Sequence, residues 1–139
     1  MQKKINLVYL AGPIDCDEEQ GRNPVRSQLA SGLNMVGVNT YDPAQAFNWI
    51  TGGTGGEKLI LINDEALRQS DLMVICLRKP VFTVGTFREL EKAVKTYQIP
   101  VILYTYIEDI DQIIYLSDVY RVTDKIAEVI TMVEAMNGK

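Results

Sequence analysis

Among its 139 residues the chain has no histidine. That absence removes Ser-His-Asp and Cys-His nucleophile pairs, and with them any zinc site built on imidazole. An acid, base or nucleophile must then come from Asp, Glu, Tyr or Cys. Cysteine is nearly as scarce: Cys16 and Cys76 stand far apart with no CxxC spacing, which argues against a disulfide framework or a metal knuckle. Cys76 falls inside an apolar run and reads as a small core hydrophobe. Long basic runs are missing too, and fourteen Lys and Arg against eighteen Asp and Glu leave a net charge of -4. Nucleic acid, whose binding draws on neutralised backbone phosphates, is therefore not an expected partner. No stretch approaches the roughly 18 apolar residues that a membrane span needs, and the first apolar run stops at Pro13 and Asp15. The expectation is a cytoplasmic protein with no membrane partner.

With 47% hydrophobic and 23% charged residues, what remains reads as one globular domain over residues 1–139. Ile5 to Leu10 (INLVYL) is the unbroken apolar run of a strand buried on both faces, and it ends in Ala11-Gly12-Pro13, where small residues permit a sharp turn. After a charged loop, Asn23 reads as an N-cap with Pro24 at the first helical position. Val25, Leu29, Leu33 and Val36 recur at helical spacing up to Gly37. Val38 to Tyr41 makes a second strand, closed by Asp42-Pro43. The stretch from Ala44 through Gly52-Gly53-Thr54-Gly55-Gly56 reads as a mobile loop or lid hinge, or as a plain connection. A helix over Glu57 to Ser70 delivers the chain to Asp71 and a strand over Leu72 to Leu77. Val101 to Tyr104 supplies a fourth strand, Ile107 to Leu116 a short helix, Val119 to Val122 a fifth strand. A last helix follows from a cap at Thr123, with Ile126, Ile130, Val133 and Met136 as its stripe. Strands alternating with helices predict an α/β fold of three layers: a flavodoxin-like, Rossmann-like, five-stranded and mainly parallel sheet with helices on both faces.

Glu89, in Gly85-Thr86-Phe87-Arg88-Glu89-Leu90, opens the helix after the third strand and so belongs at the sheet edge where open α/β folds bind ligands. Two readings stand side by side. Thr86-x-x-Glu89 is a capping-box spacing, in which the glutamate ties back to the Thr86 backbone. Alternatively, a carboxylate in the first turn of a helix feels the positive end of its dipole, stays ionised and suits attack on an electron-poor carbon. Tyr9, near the end of the first strand, is either an interior tyrosine or the group that orients that carboxylate. Asn63 and Asp64 lie one to two helical turns before Asp71 and read equally as solvated helix residues, while Asp71 reads as a turn residue. Arg22, Arg26 and Arg88 are candidate contacts for a phosphate or carboxylate, or surface charges.

Taken in order, Tyr9-Leu10-Ala11-Gly12-Pro13-Ile14, Asp42-Pro43, Asn63-Asp64 through Ser70-Asp71-Leu72-Met73-Val74, and Gly85-Thr86-Phe87-Arg88-Glu89-Leu90 resemble the motifs of the nucleoside 2-deoxyribosyltransferase family, over about residues 5–105. The resemblance implies a flavodoxin-like fold and cleavage of the N-glycosidic bond of 2'-deoxynucleosides. In it, Glu89 attacks the anomeric carbon to give a covalent deoxyribosyl-glutamate intermediate, Tyr9 aligns Glu89, and a second base receives the sugar. It places Asp64 beside Glu89 and Tyr9 as a catalytic group, and Gly12, Pro13, Asp42, Asn63, Thr83, Gly85 and Thr86 at the substrate. It implies no metal and no organic cofactor, a small-molecule nucleoside or nucleotide partner, and, with the apolar helix edges, a homo-oligomer. The chain departs from the family where an acidic or polar residue is common before the GT motif: here Val81-Phe82-Thr83-Val84 offers only a hydroxyl. The family's other aspartate falls in register with Asn63, so Asn63 and Asp64 compete for the pocket. Two alternatives share the fold: an N-glycosidase that hydrolyses 2'-deoxynucleoside 5'-monophosphates, and a nonenzymatic nucleotide-binding or sequestering protein.

Overall fold

The structure, a computed structural model, describes residues 4–12, 24–43, 57–77, 84–105 and 121–138. The glycine-rich stretch, the charged loop with Cys16 and Arg22, the Asn23 cap and the helix expected over 107–116 lie outside the described residues.

Among the described residues five strands and four helices follow one another: β1 (Leu7–Ala11), α1 (Pro24–Met35), β2 (Asn39–Tyr41), α2 (Glu57–Gln69), β3 (Leu72–Cys76), α3 (Val84–Glu91), β4 (Val101–Tyr104), β5 (Arg121–Thr123) and α4 (Ile126–Met136). A π-helical turn, Lys92–Thr96, extends α3. The sheet order is β2-β1-β3-β4-β5, with every pairing parallel. That is the flavodoxin-like order. β1 and β3 are apolar on both faces because helices cover both, as a parallel sheet requires.

Alternation along the strands divides the core in two. Val8, Leu10, Leu72, Val74 and Cys76 meet Leu29 and Leu33 of α1 and Val129 and Val133 of α4. Tyr9, Ala11, Met73, Ile75 and Leu77 face the other way, onto Leu67 of α2, Leu90 of α3 and Ala93. Cys76 is buried, as its apolar surroundings led one to expect.

Local sequence chemistry sets the ends of the elements. Gly37, at φ +83°, closes α1 with the Gly37 N-H on the Asn34 carbonyl and the Val38 N-H on the Leu33 carbonyl, a Schellman motif. Val38 and Leu33 pack together in the core, so the same turn stops the helix and starts the run into β2. Asp71 accepts from the Asn6 and Leu7 backbone N-H groups at 2.8 and 3.1 Å, fixing where β1 begins beside β3. Asn137 does the same from the C-terminal end: its amide accepts from the Ile5 N-H at 2.7 Å and donates to the Ile5 carbonyl at 3.0 Å. Thr123 lies in β5 rather than at the cap of α4, whose N-cap is Lys125. Its hydroxyl still accepts from the Lys125 N-H and donates to Glu128, so the capping chemistry survives two residues out of place.

Candidate active site

β1 is the strand at which the chain reverses its direction across the sheet, with β2 on one side and β3 on the other. Such a switch point opens a crevice at the carboxyl ends of the strands. Gly12 follows β1 there, and α3 begins beyond the end of β3.

Tyr9 is fully buried at the middle of β1, opposite Tyr41 on β2 and Met73 on β3. Its hydroxyl donates to Oε2 of Glu89 on α3. The capping-box reading of Glu89 does not fit this arrangement. Thr86 is already the third residue of α3, whereas an N-cap stands outside the helix, and Glu89 reaches across to β1 instead. Its ionisation also departs from expectation. Burial raises the Glu89 carboxyl to about 7, against the opposing pull of the Tyr9 hydrogen bond and then of the Arg26 and Lys92 charges. A residue six places into α3 lies beyond the turn where the helix dipole acts strongly, so desolvation wins. Near neutral pH the group is present in both forms. Tyr9 is raised by its own burial and then by the charge of Glu89, which leaves its hydroxyl a donor throughout the physiological range.

Tyr41 stacks on Tyr9 with ring centroids 5.5 Å apart and an interplanar angle of 26°. Its hydroxyl donates to Oδ1 of Asn63 at 2.6 Å. One residue on, a rotation of roughly 100° around α2 turns Asp64 elsewhere. The Asp64 carboxylate accepts from Nζ of Lys92 at 2.9 Å and from the Tyr97 hydroxyl at 2.8 Å. The Lys92 hydrogen bond is the main reason its carboxyl titrates below the ordinary range. Asn63 thus joins the tyrosine pair, while Asp64 ties α2 to the π-helical turn. That turn carries the Tyr97 N-H to the Lys92 carbonyl at 2.8 Å, a widening that places Lys92 and Tyr97 on the same carboxylate.

Gly12 is held by its surroundings. At φ +154°, an added Cβ would fall 2.6 Å from the Cys76 carbonyl oxygen and 3.1 Å from Nη1 of Arg26. Gly12→Ala is expected to cost about 1–3 kcal/mol of stability, read as a lower urea midpoint with an unchanged slope.

Arg26, one of three arginines that the sequence offers as phosphate or carboxylate contacts or as surface charges, is not a surface charge. Its side chain is wholly buried, with Nε 3.7 Å from Oδ1 of Asp42. The signal was present: Arg26 precedes Leu29 and Leu33 by three and seven residues, continuing the stripe that α1 buries. Arg88, by contrast, is exposed. Thr86 is buried and Gly85 lies in the first turn of α3; Pro13 and Thr83 lie outside the described residues. Among the described residues no group of three or more His, Cys, Asp or Glu could hold a metal ion, and no helix is long and apolar enough to cross a membrane.

No protein-family model matches the chain, and no curated protein matches it in sequence. Solved structures do. A 2-deoxyribosyltransferase from Bacillus psychrosaccharolyticus superposes with a TM-score of 0.68 at 17% identity, covering 88% of this chain and 89% of that one. A conserved protein from Enterococcus faecalis gives 0.64 at 19% identity, over 94% and 98%. The CMP N-glycosidase of Clostridium botulinum gives 0.57 at 19% identity, over 94% and 99%. The chain therefore has the fold on which solved 2-deoxyribosyltransferases and a CMP N-glycosidase are built.

Proposed function

We propose that this protein cleaves the N-glycosidic bond of 2'-deoxynucleosides through Glu89 and transfers the sugar to another base. The observation that carries the reading is the hydrogen bond from the buried Tyr9 hydroxyl to the Glu89 carboxylate at the switch point of the sheet. In the first half-reaction a Glu89 oxygen bonds to C1' of the deoxyribose as the C1'–N bond breaks, and the base departs with the electron pair. In the second, a nitrogen of an incoming base attacks C1' and Glu89 leaves as a carboxylate. A carboxylate facing an oxocarbenium-like transition state, and a covalent intermediate that divides one difficult step into two, are the physics of retaining glycosyl transfer. Tyr9 fixes Oε2 and so presents the other oxygen.

Asn63 takes the place at which an acid would have protonated the leaving base. With its Oδ1 accepting from Tyr41, its Nδ2 side is the donor it offers, so it assists departure by hydrogen bonding to the base rather than by proton transfer. Asp64, engaged by Lys92 and Tyr97, holds α2 against the extended α3.

Incubation of 2'-deoxyinosine with free adenine tests the proposal. The expected product is 2'-deoxyadenosine, formed only with the acceptor present. Because only ionised Glu89 can attack, kcat/KM should fall about tenfold per pH unit below about 7. Hypoxanthine and free sugar released equally without adenine would instead favour the hydrolytic reading, which the likeness to a CMP N-glycosidase over 94% of the chain keeps in view. Absence of both products, with deoxynucleotides bound intact, would overturn the enzymatic reading.

A further inference from the structure

A guanidinium with no exposed surface is an expensive group to keep, since desolvating a charge costs several kcal/mol unless other charges answer it. Arg26 is such a group. It rises from α1, on the face of the sheet opposite Glu89, yet its Nη1 lies over Gly12, where β1 ends and no Cβ intervenes. From there its positive charge acts on both partners of the catalytic hydrogen bond, Tyr9 and Glu89. Asp42, at the end of β2, faces the same guanidinium at 3.7 Å, a separation longer than a tight charge-assisted hydrogen bond.

The described groups that bear on Glu89 are few. Tyr9 from β1 donates to it, Tyr41 from β2 feels its charge, Lys92 lies in the π-helical turn below it, and Arg26 stands at the strand end with Asp42 behind. Of the two cations, Lys92 is 46% exposed and bonded to Asp64, so water and that carboxylate screen it. Arg26 is unscreened by solvent. Equal charges therefore have unequal weight, and the buried one dominates.

We propose that the Arg26–Asp42 pair is a positioning device for the nucleophile: the guanidinium holds Glu89 in its charged form within a buried site, and Asp42 sets how much of that guanidinium's field Glu89 receives. Its bearing on catalysis rests on Glu89 being the nucleophile; the coupling of charges itself does not. The pairing explains why a buried cation is kept beside a glycine that tolerates no side chain, and it adds to the Tyr9 hydrogen bond, the largest of the effects that oppose the burial of Glu89.

The two members of the pair should act on Glu89 in opposite directions. With 13C-carboxyl-labelled glutamate, the Glu89 resonance, identified by its loss in Glu89→Gln, is titrated by NMR in the full chain. Arg26→Met should move its midpoint up by about one pH unit or more. Asp42→Asn should move it down by about half a unit, since the negative charge that offsets the guanidinium is then gone. Arg26→Lys, which keeps the charge without the planar fork, should fall between Arg26→Met and the unaltered protein. The acid limb of kcat/KM should follow the NMR midpoint in each variant, whereas a merely structural role would lower activity at every pH alike. Midpoints that stay put, or that move together in Arg26→Met and Asp42→Asn, would overturn the proposal. Should Arg26→Met fail to fold, the downward shift in Asp42→Asn decides alone. Opposite shifts in a protein that releases no base would leave the device standing and sink only the glycosyl-transfer reading.

Discussion

Glu89→Ala should lower base exchange by roughly 10³-fold or more, a loss of about 4 kcal/mol of transition-state stabilisation. The alanine leaves nothing to bond C1', and the neighbouring carboxylates are engaged elsewhere: Asp64 is bound to Lys92 and Tyr97, and Asp42 faces Arg26. Glu89→Gln should be nearly as damaging, although it keeps shape and can still accept from Tyr9. An amide oxygen is a poor nucleophile, and the intermediate it would form is not a neutral ester. Added formate should restore part of the activity of Glu89→Ala but not of Glu89→Gln, because only the smaller side chain leaves room for a carboxylate of solution origin. Base exchange followed chromatographically, with and without formate, gives the measurement. Glu89→Gln retaining activity within about tenfold of the unaltered protein would remove the nucleophile from the mechanism.

The architecture was open to reading because hydrophobic runs carry it. LVYLA, LMVIC and VILY are uninterrupted since both faces of a parallel sheet are covered, and Gly37 and Pro24 mark helix ends through their own backbone geometry. Boundaries slipped where the signal was a side chain able to act at a distance. Thr123 was a capping residue in chemistry but a strand residue in position, and β5 runs Arg121–Thr123 rather than ending at Val122. Asp71 and Asn137 could not both be foreseen: each ties segments more than sixty residues apart, and no local pattern announces such a bond.

The site divides along the same line. Tyr9 and Glu89 belong to a strand and a helix that the topology brings together, so the expectation that they meet could be formed from the chain alone. Which of Asn63 and Asp64 would turn toward Tyr41 depended on the rotation of α2, which sequence spacing leaves open to within one residue. For Arg26 the sequence left a carboxylate or phosphate contact and a surface charge both open, since arginine is a surface residue unless something answers its charge; its place in the α1 stripe pointed inward. The ionisation of Glu89 was misjudged because the dipole of a helix can be read from sequence and the depth of burial cannot.

That burial has a consequence for stability that does not depend on any reaction. An unfolded glutamate titrates near 4.3, whereas Glu89 in the folded protein titrates at about 7. The folded state therefore holds its proton over a range in which the unfolded state has lost it, and stability falls as pH rises through that range, levelling off above the folded value. The full span corresponds to about 3–4 kcal/mol. Glu89→Gln, which has no proton to lose, should match the unaltered protein near pH ~4 and exceed it by about 3 kcal/mol near pH ~8 in urea unfolding. The comparison is unusually clean here, for the chain has no histidine to titrate in the same interval. Asp64, held low by Lys92, acts with the opposite sign, losing its contribution as pH falls, and it is common to both proteins. Stability curves that run parallel from acid to alkaline pH would mean that Glu89 is hydrated in solution. A gap opening with pH, in a variant that has also lost base exchange, would show one carboxylate destabilising the fold in the same charged form that catalysis requires.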